Sequence, residues 1–86
     1  MPTIILQPIR VRTGSRDNEG RLALADGELV AVLVGLEDDI HGDAKGTWFL
    51  EAGFGYMRRA DPFNTLAEAE VWLSQQLEAA TERARH

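Results

Sequence analysis

Glu37, Asp38, Asp39, His41 and Asp43 bring four carboxylates and an imidazole into seven residues, the densest group of potential ligands in the chain. Carboxylate oxygens and an imidazole nitrogen suit a hard cation. The run lacks the Asp-x-Asp-x-Asp-Gly spacing and closing glutamate of a calcium loop, and polar clusters between strands are usually solvated turns, so no metal is expected there. Gly53-x-Gly55 follows a strand-like segment, as a phosphate loop would. Arg58 stands where a third glycine would fall and no helix opens directly behind it, so a bulge or tight bend is the expectation. Arg58 and Arg59, with Tyr56, Phe54 and Trp48 nearby, make the closest approach to a basic and aromatic patch, the combination that stacks bases and holds phosphates. Glu51 and Asp61 offset it, leaving salt bridging as the competing use.

Catalytic groupings are thinner. The two histidines, His41 and His86, have no cysteine to activate and no serine in a recognisable nucleophile turn. Asp38 and Asp39 are adjacent, so in an extended chain their carboxylates point apart. No catalytic residue, cofactor or enzymatic activity is expected.

Any site must be positioned by a small scaffold. Eighty-six residues read as one domain, whose folding buries roughly 60 to 65% of the surface its unfolded chain exposes, a marginal core. With 44% hydrophobic and 27% charged residues the composition is globular, and with no cysteine there is no disulfide to staple it. Oligomerisation is the remaining common source of extra core. No run approaches the roughly 20 apolar residues of a membrane helix, and the first residues lack a signal peptide's basic start, so a cytoplasmic location is expected. The net charge is −5 and is concentrated: residues 28–61 carry seven acids against three bases, whereas residues 1–27 carry four arginines against three acids. An acidic centre repels phosphate backbones.

Residues 28–36, Glu-Leu-Val-Ala-Val-Leu-Val-Gly-Leu, form the longest apolar run and the expected centre of a sheet. Alternation puts Leu29, Ala31 and Leu33 on one side and Val30, Val32, Val34 and Leu36 on the other, so both faces need cover. Residues 3–13 read as an edge strand, since Pro8 lacks an N–H, with Arg10 and Arg12 on its wetter side. Residues 14–20 read as a polar loop with nothing resembling a core. Residues 21–25 make a short strand joined to the central run by Asp26-Gly27, a strong hairpin signal because a type I' turn needs positive φ twice. After the acidic loop 37–46 comes a last strand, 47–54, with Trp48, Leu50 and Ala52 facing one way.

Helix onset is marked by Thr65 and Glu68, a capping box with Phe63 just upstream. Leu66, Ala69, Leu73, Leu77 and Ala80 then recur at the spacing of one buried stripe. The stretch Phe63-x-Thr65-Leu66-x-Glu68-Ala69-Glu70 resembles the strand-to-helix junction of many small bacterial domains built as a meander plus helix; it implies a style of fold and no activity. A double-stranded-RNA-binding domain would need a leading helix and a basic last-helix start, and Glu68 and Glu70 stand at this one.

The expected fold is therefore α+β: an antiparallel β-meander of three to four strands with one C-terminal amphipathic helix packed on one face. Residues 1–56 supply the sheet, 57–64 a connector and 65–84 the helix. One helix covers one face. The other face leads to the functional expectation, a non-enzymatic protein-interaction module, homodimeric through the open sheet face or an edge, with Val30, Val32, Val34, Leu36, Trp48 and Leu50 as interface candidates. The alternative is nucleic-acid or anionic-ligand binding through Arg10, Arg12, Arg58, Arg59 and Tyr56.

Overall fold

The computed structural model describes residues 3–14, 16–55 and 60–84. Four strands, β1 (Ile4–Arg10), β2 (Glu19–Ala25), β3 (Glu28–Gly35) and β4 (Trp48–Gly53), pair in sequence order into an antiparallel sheet. One C-terminal helix, α1 (Leu66–Ala84), follows, giving an α+β fold.

The strands start and stop where local chemistry directs them. Asp26 and Gly27 carry φ of 51° and 86°, both positive, and close the hairpin between the Ala25 and Glu28 pair. The ladder bonds at the ends of β1 run from Val11 N–H to Asn18 O and from Asp26 N–H to Thr3 O. Hydrogen-bonded pairs alternate in an antiparallel ladder, so odd-numbered residues of β1 bond to β2 and Pro8 turns its nitrogen to the outer edge. Pro8 therefore costs no internal bond and blunts the exposed edge at its middle.

Two bulges reset the alternation. Ala23 pairs with Ala31 but Leu24 with Leu29, leaving Val30 as the extra residue; Leu33 pairs with Leu50 but Val32 with Ala52, leaving Glu51. Leu29 consequently does not share a face with Ala31 and Leu33, and Ala52 does not share one with Leu50. Unbroken alternation cannot anticipate either shift, because neither Val30 nor Glu51 is a residue that marks a bulge.

The core lies between the sheet and α1. Ala23, Ala31, Leu33, Leu50, Phe63, Ala69 and Leu73 form its buried cluster, with Leu6, Val30, Trp48, Leu66, Trp72 and Leu77 packed around it. Alanines at 23 and 31 on the sheet and at 69 on the helix leave room for close approach, while Leu33 and Leu73 fill the space and are fully buried. Burying each leucine contributes about 1.5 to 3 kcal/mol. Glu68 N–H donates to Thr65 Oγ1 at 3.1 Å, and the Glu68 carboxylate accepts from Asn64 N–H at 3.0 Å, one residue upstream of the usual capping-box partner. Phe63 exchanges backbone bonds with Trp48 on the outer edge of β4, at 2.7 and 2.8 Å, and stacks tilted on Trp72 at 5.6 Å. Among the described residues no helix is long and apolar enough to cross a membrane.

Candidate functional site

The sheet face turned away from α1 is a nearly continuous apolar surface. Cross-strand pairing arranges it in rows: Ile5 beside Leu24 and Leu29; Gln7 beside Leu22, Val32 and Ala52; Ile9 beside Gly20, Val34 and Phe49. Gln7 is the one polar side chain in these rows. Ile5 is 57% exposed, Leu29 41%, and Ile9 and Phe49 39% each, so four large side chains lie open to water on one surface. Scattered exposed apolar residues need no explanation, whereas these four belong to one contiguous apolar surface.

One end of that face is closed by the chain itself. A Cβ at Gly20 would meet Val11 Cγ1 at 3.0 Å and Ile9 Cγ2 at 3.2 Å, so these side chains lie across the glycine beside Val34. Val34 and Leu36 are buried at this end. The six interface candidates are thus divided. Val32 lies half-buried on the open face, Val34 and Leu36 are already covered, and Val30 packs at the rim of the core. Leu50 is buried under the helix, and Trp48 shares that side, its ring lying along Gly35 with the Arg21 guanidinium 4.9 Å above its centre. The open surface is instead Ile5, Ile9, Leu22, Leu24, Leu29, Val32, Phe49 and Ala52. Local sequence does not reveal Ile5, Leu29 and Phe49, because strand register sets the side of Ile5 and Phe49 and the bulge at Val30 sets that of Leu29.

Beyond the buried end, the β1–β2 and β3–β4 connections meet through Asp17, which is buried although its loop reads as wholly polar. Its Oδ1 accepts the backbone N–H groups of Glu37 at 2.6 Å and Asp38 at 2.8 Å, while Oδ2 lies 2.5 Å from His41 Nε2. The hydrogen bond with His41, followed by those from Asp38 and Glu37, lowers the Asp17 carboxyl to about 2 against the opposing effect of desolvation. Residues 39–44, expected as plain loop, coil into two short 3₁₀ turns kinked at Gly42, where φ is 56°. Asp38 caps the first turn by accepting Ile40 N–H at 3.2 Å.

Two side chains of the acidic loop thus have structural partners: His41 holds Asp17 and Asp38 caps a turn. Among the described residues no group of three or more histidine or acidic side chains is arranged to hold a metal ion. Gly55, with φ of 69°, turns the chain just past β4. Tyr56, Arg58 and Arg59 lie outside the described residues. Arg10 stands at one end of edge strand β1, and β4 leaves the sheet at the diagonally opposite corner, at Gly53. Phe54 is exposed near that corner. Asp17 was not singled out in the sequence. A signal existed, since in a four-strand meander the first and third connections share one end.

Compared with known proteins, the chain matches no family model, no curated protein and no solved structure.

Proposed function

We propose that this chain is a cytoplasmic, non-enzymatic interaction module that pairs with a second copy of itself through the open face of its sheet. The carrying observation is the set of apolar cross-strand rows exposing Ile5, Ile9, Leu29 and Phe49 with no charged side chain among them. Burying the exposed half of each side chain is worth about 1 kcal/mol apiece, counted on both copies.

Neither edge competes well. Pro8 interrupts the outer side of β1, and Phe63 occupies the outer side of β4 at Trp48. The paired rows carry no charge, and the exposed bulge residue Glu51, beside Ala52, is the nearby ion that an isologous contact has to leave at its rim. With strands about 4.8 Å apart rising about 3.4 Å per residue, the face measures on the order of 19 by 24 Å. That is roughly 450 Å² flat, at the small end against the roughly 800 Å² per partner of a standard interface, so a micromolar dimer is expected. Sedimentation equilibrium from about 1 µM to about 1 mM tests it, because a range of that width brackets a micromolar constant. A monomer–dimer equilibrium supports the reading; a monomer throughout contradicts it.

A further inference from the structure

Arg10 and Arg12 are both exposed, and neither makes an ion pair among the described residues. This holds even though Glu19 stands directly across the ladder from Arg10. Between them Val11 extends the pairing by its bond to Asn18 O and turns its side chain toward Gly20 on the open face. In extended backbone the flanking residues take the opposite side, so the two guanidinium groups share a flank. They line an open, mostly polar surface cavity of about 470 Å³ with Val11, Thr13, Gly14 and Asn18, wide enough for a small ligand that stays in contact with solvent. The Thr13 hydroxyl is spent on Asp17 O at 2.9 Å, which fixes the floor of the loop.

We propose that this cavity binds a small oxyanion of the phosphate class, gripped by Arg10 and Arg12. Guanidinium forks match phosphate oxygens in pairs, and among the described residues neither guanidinium is ion-paired, Glu19 standing across from Arg10 without bridging to it. The surroundings select a small ligand over a polymer. Glu19 faces Arg10 and the acidic 37–43 loop is tied to the same connection through Asp17, so a long phosphate chain leaving the cavity meets negative charge.

The test is titration of the ¹⁵N-labelled protein with inorganic phosphate at neutral pH and low salt, with sodium chloride at matched ionic strength as control. The expected result is saturable shifts confined to amides of residues 10–14 and 18, absent with chloride. Arg10→Ala with Arg12→Ala, both at exposed positions, should weaken binding by about tenfold or more, and Glu19→Gln should tighten it about twofold, the sizes expected for charge-assisted bonds and a nearby exposed charge. Identical shifts with chloride, or full affinity in the double variant, would overturn the site. Tighter binding of a short single-stranded oligonucleotide at the same amides would overturn the assignment to a small anion.

Discussion

Asp17 and His41, 24 residues apart in sequence, meet through a 2.5 Å contact between the carboxylate and Nε2 and tie together the two connections at one end of the sheet. The same carboxylate holds the Glu37 and Asp38 amides, so the loop carrying Val11 is fastened to the one that follows β3. That fastening lies beyond the buried end of the otherwise open face.

A pH dependence follows. The Asp17 carboxyl is lowered from 3.8 to about 2 by its hydrogen bonds with His41 and the two amides. A group whose folded pKa lies below its unfolded value stabilises the fold above the unfolded value, and that contribution disappears as pH falls through the folded one. The thermal midpoint of the native protein should exceed that of Asp17→Asn near neutrality, and the gap should close between about pH 4 and about pH 2. A gap that stays constant over that range would show that Asp17 contributes nothing through its charge.

Opposite sides of β3 should respond differently to charge. Leu33 is fully buried beneath α1, whereas Val32 is half-buried on the open face. Leu33→Asp should leave the chain unfolded, because an unpaired carboxylate cannot be buried there. Val32→Asp should leave it folded and monomeric. Circular dichroism and light scattering on the pair check both outcomes; unfolding of both variants would contradict the assignment of faces.

Helix onset gives a calibrated test. Thr65→Ala removes the acceptor of Glu68 N–H and should cost about 1 kcal/mol in denaturant unfolding, the usual worth of such a cap. A change under about 0.3 kcal/mol would place the start of α1 elsewhere.

Gly20 has a steric role. A methyl group there would press on Val11, Ile9 and the Leu33 carbonyl at 3.0 to 3.3 Å. Gly20→Ala should destabilise by about 1 to 3 kcal/mol, as overpacking does, and loosen the cover over Val34. Amide exchange at Val34 is the local readout, and unchanged protection would count against the cover.

These residues also show which parts of the molecule were legible in the sequence. Asp26-Gly27, Thr65 with Glu68, and the Ala69 and Leu73 stripe each encode structure over a few residues, so turn, cap and buried helix face could be read directly. Pro8 marked an edge for a chemical reason, its missing N–H. The bulges at Val30 and Glu51 arise from how neighbouring strands pair, which no local residue type reports, and they redistribute Leu29, Leu50 and Ala52. The expectation of an uncovered face came from counting elements. Its membership, Ile5 and Phe49 with Val32, required the register. Asp17 was opaque because a lone aspartate among polar residues acquires meaning only beside His41 from the other connection.

The most direct test of the central claim is an isotope-filtered NOE experiment on a mixture of ¹³C-labelled and unlabelled chains at millimolar concentration. Contact through the open face predicts intermolecular NOEs among Ile5, Leu24, Leu29, Val32 and Phe49 and none to Leu33 or Leu73. Intermolecular NOEs confined to the outward side of α1 or to the strand edges, or none in a sample shown to be monomeric, would contradict it.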